Sequence, residues 1–377
     1  VSNQDFNPQT RRAWVKIDHQ ALAHNVRTLK GILAPETKLM TVIKADAYGH
    51  GAITVAKTVL ESGADYLAIA TLSEGIELRK AGINAPIMIL GAINTLDEIK
   101  DIIQWHLEPT ICNLEQGAIF AQALSDLGKN LSVHLKIDTG MSRLGTLWHE
   151  TVTFVKEIKK SAHLEIKSLY SHLATADDVD STVMNLQHER FKEAIKALKA
   201  HEIKIPMVHL ANSAGTMVGK ELHYDMVRVG LALYGLYPAP HLRDKVSLKP
   251  VMEVKTRITH IKQVAKGTGV SYGHSFKCDR PSTIAVIGIG YADGVPRLLS
   301  NKIKVIINGQ YVQQIGNITM DQIILDITDF PDFKVGNIVT LIGEDRNLAI
   351  NADDWANILG TISWEILCGF KHRLPRI

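Results

Sequence analysis

The sequence predicts an α/β protein, an N-terminal (β/α)8 barrel followed by a mostly β C-terminal domain. Three observations carry this expectation. Short apolar runs alternate with segments of helical period from about residue 38 to 235, eight such runs occur, and past a proline-bearing stretch the pattern turns strand-like. The runs are KLMTVIK (38–44), DYLAIA (65–70), PIMIL (86–90), LEPTIC (107–112), LSVHLKI (131–137), EIKSLYSH (165–172), PMVHLA (206–211) and DMVRVG (225–230). Between them, HERFKEAIKALKA (188–200) sets Phe191, Ile195 and Leu198 on one helical stripe, which reads as packing. Ahead of the barrel, residues 18–33 predict a helix with Asp18 as N-cap and Leu22, Val26 and Leu29 on its buried face.

Around residues 236–250 three prolines interrupt any period, and the domains are placed at 1–240 and 241–377. Beyond that crossing, VMEVKTRITHIKQV, STIAVIGIG, KIKVIINGQYVQQIG and QIILDIT read as strands. Asn308-Gly309 between apolar runs signals a hairpin, and NADDWANILG a late helix. No internal repeat or low-complexity tract is present.

The 377 residues, 46% hydrophobic and 21% charged, can bury a large core. A net charge of only +3 without a basic run gives no electrostatic reason for a nucleic-acid or anionic-membrane partner, which leaves small molecules. Cys112, Cys278 and Cys368 are few and far apart, without metal-ligand spacing, so no metal site is expected and a reducing compartment fits. The opening VSNQDFNPQTRR has no apolar core for a secretory signal, and nowhere do 18 apolar residues run together, so the expected location is the cytoplasm.

In a barrel, chemistry gathers where the strands end and the βα loops converge. Lys44 stands at such an end. A partly buried lysine amine has a lowered pKa and can attack a carbonyl to form a Schiff base, although a lone lysine there fits equally a side chain reaching the barrel rim. GTMVGK (215–220) has the wrong glycine spacing for a phosphate-binding loop, and Glu221 stands where Ser or Thr is needed, so a nucleotide site is discarded.

Around Lys44 the run VIKADAYGHG resembles the signature of alanine racemases. Further matches follow in the family's order: LKIDTGMSRLG (135–145), YSHLATAD (170–177), HLANSAG (209–215), MVRVGLALYG (226–235), VSYGHSF (270–276), IGYADG (289–294) and IGNITMDQ (315–322). The resemblance implies a pyridoxal 5'-phosphate enzyme that interconverts L- and D-alanine by two-base proton transfer, supplying D-alanine for peptidoglycan. It also implies a homodimer whose β domain completes the partner's site. By that resemblance, Lys44 holds the cofactor and is one base, and Tyr272 from the other subunit is the second. A phenol with a pKa near 10 needs help to act as a base, and the family assigns that help to Arg143 and His172.

Arg143 is further expected near the substrate carboxylate, with Tyr291, Met320 and Asp321 also lining the substrate. Arg228 would face the pyridine nitrogen, where a guanidinium can only donate. Tyr48, Ser213, Gly230 and Leu231 would hold the phosphate, with free N–H groups offered by a helix starting near Ser213. Lys136 matches a lysine the family often carbamylates, and a carbamate there would pair with Arg143. Taken alone, Tyr272 also reads as a packed core residue, Arg143 as a surface charge, His172 as a hydrogen-bonded strand-end residue and Arg228 as a salt bridge. His372 stands where many members carry a tyrosine, which puts one phosphate contact in doubt. Thr319 replaces a frequent cysteine, and Ser142 a glycine found in some members.

Three other activities share parts of this pattern. A broad-spectrum racemase on this scaffold is typically exported and disulfide-bearing, a non-catalytic pyridoxal-phosphate carrier is a single barrel, and a basic amino-acid decarboxylase handles substrates with a second charge.

Overall fold

The computed structural model describes residues 11–377, so most of the stretch used for the leader-peptide expectation lies outside the described residues. The chain forms two compact units. One comprises His19–Ala47 and Ala52–Lys249; the other takes the segment ending at Asp18, Tyr48–Gly51 and Pro250–Ile377.

After β1 (Ala13–Ile17) and α1 (His19–Gly31), the first unit contributes β2 (Lys38–Val42), β3 (Tyr66–Ile69), β4 (Ile87–Ala92), β5 (Glu108–Ile111) and β6 (Leu131–Asp138). A two-residue β7 (Thr146–Leu147) pairs onto β6 before β8 (Leu164–Tyr170), β9 (Val208–His209) and β10 (Met226–Val229). All neighbours are parallel in the order β5-β4-β3-β2-β10-β9-β8-β6, and β5 also pairs with β6, so eight strands close a barrel. Every one of the eight runs singled out in the sequence supplies a strand; six are shorter than their runs, while β4 and β6 extend past the C-terminal ends of theirs.

On the outside, α1 buries Leu22, Val26 and Leu29 as its period predicts. The helix at Thr182–Ala200 buries Phe191, Ala194 and Leu198, while Ile195 is only half-buried, so the stripe is rotated slightly from the expected one. Buried Asn25 bonds the carbonyls of Leu233 and Lys249 and accepts from the Lys249 amide. Those bonds tie residues past 240 to the barrel unit, and the first unit therefore runs to Lys249 rather than ending at 240.

In the second unit β1 pairs antiparallel with β11 (Met252–Val264), so the N-terminal strand belongs to this sheet rather than to the barrel. After a short β12 (Gly269–Val270) and β13 (Phe276–Lys277) come β14 (Ser282–Ile287), β15 (Lys304–Ile307), β16 (Gln310–Ile315), β17 (Ile323–Asp326), β18 (Ile338–Asp345) and β19 (Leu348–Ile350). The sheet order is β1-β11-β14-β17-β16-β15-β18-β19, with β11 also paired to β18. Asn308 and Gly309 join β15 to β16 with φ of 49° and 74°, the paired left-handed turn expected of Asn-Gly. Asn351 caps the helix Ala352–Leu359 with a reciprocal bond to Asp354. A further helix, Ser363–Gly369, had no signal in the sequence reading. Among the described residues no helix is long and apolar enough to cross a membrane.

Candidate active site

The chain leaves β2 at Val42 and then does something unusual. Ala45, Asp46, Ala47 and Tyr48 all have φ between 52° and 55°, so the turn that begins at Lys44 is a left-handed helix of L-residues. Each such residue costs roughly 1–2 kcal/mol. Specific bonds hold it: the Ala47 amide donates to the Ile43 carbonyl at 2.9 Å, the Ala45 amide to Glu74 Oε1 at 2.6 Å, and the Ala52 amide to Asp46 Oδ1 at 2.7 Å. Strain concentrated beside a half-buried lysine at a barrel strand end makes this segment a candidate functional element. Tyr48, buried, has its phenol pKa raised by desolvation. At Gly49 a Cβ would lie 2.5 Å from the Leu367 carbonyl oxygen, which excludes any other residue.

Strand alternation places Glu108 and Thr110, His134 and Lys136, Ser168 and Tyr170, and His209 and Arg228 together, because their hydrogen bonds and ring contacts run across β5, β6, β8, β9 and β10. Tyr170 stacks on His209 at 4.9 Å, with the Arg228 guanidinium 5.0 Å and the Lys136 ammonium 5.3 Å from its ring centre. Burial, then the neighbouring Arg228, lowers the Lys136 pKa to about 8. Arg228 is itself buried; desolvation brings it to about 10, so it stays a cation at neutral pH.

Arg228 Nη1 meets His209 Nδ1 at 2.9 Å. Its Nη2 donates to the carbonyls of Ser171 at 2.7 Å and Leu210 at 3.0 Å, and lies 3.2 Å from His172 Nδ1. No acceptor among the described residues takes its Nε–H. Desolvation and four cations, Arg228 first, push the His172 pKa well below 6.5, so the ring is neutral; with a guanidinium that only donates beside Nδ1, its single proton sits on Nε2. The strand end carrying it is pinned by Gln187, which donates to the His172 carbonyl and accepts from the Ala174 amide.

Arg143 is exposed on a loop shaped by Asp138, whose Oδ1 accepts the amides of Gly140 and Ser142. It acts electrostatically on both Lys136 and His172, so these three residues and Arg228 form one group. Ser213 opens a short helix, and its Oγ accepts the Gly230 amide at 3.0 Å, just ahead of buried Leu231.

In the second unit Tyr272 is 74% exposed, and its carbonyl is held by Asn317 Nδ2 at 2.7 Å. Tyr291 donates its amide to the Thr319 carbonyl and Ala292 to that of Met320, which brings Tyr291 beside Met320 and Asp321. Gly290 permits this approach, since a Cβ would meet both carbonyl oxygens at under 2.5 Å. Asp321 pairs with Arg373 at 2.5 Å. His372 is exposed. Among the described residues no group of three or more His, Cys, Asp or Glu could hold a metal ion.

Glu108, His134, Ser168, Tyr170 and His209 were given no role in the sequence reading, although Tyr170 and His209 open two of the matched segments. A signal was present: polar residues at alternate positions inside otherwise apolar barrel strands.

A half-buried lysine on a strained strand end, a buried arginine and a histidine held neutral lie in one closed parallel barrel, and an antiparallel β unit follows it in the chain: the class is a two-unit, barrel-plus-β protein. Residues 17–238 match the N-terminal domain of alanine racemases and residues 251–377 the C-terminal domain. An alanine racemase of Nostoc sp. is 58% identical over 370 residues, 98% of this chain and 96% of the relative. Among solved structures, the alanine racemase of Clostridium difficile 630 superposes with a TM-score of 0.92 at 38% identity, covering 97% and 95% of the two chains. That of Bartonella henselae, described with covalently bound pyridoxal phosphate, gives 0.87 at 32% identity over 97% and 99%. The chain belongs to the alanine racemase family and is an enzyme of that type.

Proposed function

We propose that the enzyme interconverts L- and D-alanine with pyridoxal 5'-phosphate held on Lys44, and so supplies D-alanine for peptidoglycan. The observation that carries this reading is Arg228: a buried cation whose Nε–H finds no acceptor among the described residues, while its other nitrogens are committed. A neutral pyridine nitrogen is the acceptor that suits it. The Ser213 hydroxyl and the amides at Gly230 and Leu231, with the Tyr48 phenol, are assigned to the phosphate. Bound there, pyridoxal phosphate supplies the sink for the electron pair left on the α-carbon.

This chain's residues do the rest. The Lys44 amine takes or returns the α-proton on one face, and the partner's Tyr272 serves the other, which requires a homodimer. His172, neutral, donates toward that phenol from Nε2 and favours its ionised form. Arg143 binds the substrate carboxylate, and the partner's Tyr291, the partner's Met320 and the partner's Asp321 are assigned to the substrate. Because Arg228 donates and cannot give up its proton to the ring nitrogen, charge stays near the α-carbon. That favours quick reprotonation over transamination.

Borohydride treatment of the purified enzyme followed by peptide mapping tests the central assignment. The cofactor should be fixed on Lys44, and the untreated enzyme should make each alanine enantiomer lose its optical rotation while the reduced enzyme does not. Label on another lysine overturns the assignment.

A further inference from the structure

A line of hydrogen bonds crosses the barrel interior from the N-terminal end of β5 to Arg228. Glu108 Oε2 lies 2.8 Å from His134 Nε2, His134 Nδ1 2.7 Å from Ser168 Oγ, Ser168 Oγ 2.8 Å from His209 Nε2, and His209 Nδ1 2.9 Å from Arg228 Nη1. Its inner members are buried, and Glu108, 17% exposed, is the outer end. The two ends fix the direction of every bond between them. A guanidinium only donates, so His209 Nδ1 must accept and its proton sits on Nε2. Ser168 Oγ then accepts from His209, and its own buried O–H must go to His134 Nδ1, the remaining partner. His134 carries its proton on Nε2 and gives it to the Glu108 carboxylate, which accepts.

We propose that Glu108, His134, Ser168 and His209 form a one-directional hydrogen-bond relay that holds Arg228 in place, making Glu108 and His134 remote positioning residues for the arginine's contact with the cofactor ring. A carboxylate at one end answers the arginine's positive charge at the other, through single-proton imidazoles and a hydroxyl. Reversing any link would set an N–H of His209 against an N–H of Arg228. The proposal rests on the assignment of Arg228 to the ring nitrogen, but the relay has a readout of its own.

Nitrogen NMR of the holoenzyme carrying isotope-labelled histidine reads the tautomers directly, with His134→Asn and His209→Asn used to assign the signals. Both rings should carry hydrogen on Nε2 and none on Nδ1. Hydrogen on Nδ1 of either ring, including a doubly protonated His134 paired with Glu108, overturns the proposal. Glu108→Met removes the terminal acceptor and should change the His209 nitrogen signals and the visible absorption of the bound cofactor. It should also lower kcat about tenfold while KM for alanine stays within about twofold. Glu108→Gln keeps an acceptor oxygen and should restore all of these. Unchanged His209 signals in Glu108→Met refute the relay. If that variant does not fold, Ser168→Ala interrupts the same line and is read the same way. Should the wild type fail to racemise alanine, the function proposed above falls while the nitrogen spectra still decide the relay.

Discussion

At the scale of single residues the barrel is governed by buried positive charge. Lys136, Arg228 and His172 share a space that Arg143 also influences, and the protein responds by discharging the weaker members: His172 stays neutral and Lys136 titrates at about 8. Only a neutral amine adds carbon dioxide, losing one proton as the N–C bond forms, and the resulting carbamate anion would answer the two arginines. We predict that carbon-labelled bicarbonate gives a carbamate signal that grows as pH rises through about 8 and is missing in Lys136→Met. No signal at about pH 9 rules the modification out. The sign for stability follows from the same shift. Without carbon dioxide the folded protein binds fewer protons than the unfolded chain between about 8 and 10.5, so stability from this group rises with pH across that window and its penalty is complete below it.

At the scale of elements the left-handed turn after Lys44 is the feature that sequence periodicity does not describe. Its four L-residues store strain of about 4–8 kcal/mol, comparable to a domain's net stability, offset by the bonds from Glu74 and Asp46 and by surrounding packing. Ala45 is exposed and contributes little packing, so it isolates the backbone term. Ala45→Gly should raise stability by about 0.5–1 kcal/mol, and Ala45→Val should lower it by about 1–2 kcal/mol, in chemical denaturation of the holoenzyme. If the glycine variant were the less stable one, the turn would not be left-handed in solution.

At the scale of the whole molecule the two bases assigned to one α-carbon come from different units of the chain, and Tyr272 is exposed on its own unit. The shared-site dimer predicts complementation. Lys44→Ala and Tyr272→Ala should each be inactive, yet a mixed dimer would carry one doubly damaged site and one intact site. With random subunit exchange about half the dimers are mixed, so activity should return to about a quarter of wild type. Exchange verified by native mass spectrometry with no recovered activity means both bases lie on one chain.

Much of this was legible in the linear order of residues. Apolar runs of strand length alternating with helical stripes determined the eight parallel strands, Asn308-Gly309 determined the β15–β16 hairpin, and the segment NADDWANILG signalled a late helix. Each depends on local periodicity or turn chemistry, which neighbouring residues carry between them. Tertiary structure decided the rest. It moved residues 13–17 into the second unit's sheet because their partners, 252–256, lie more than two hundred positions away. It also made His172 neutral and joined Glu108 to Arg228 through partners 19 to 41 residues apart in sequence. Protonation and hydrogen-bond direction depend on which groups share a dry interior, and only the closing of the barrel brings those groups together.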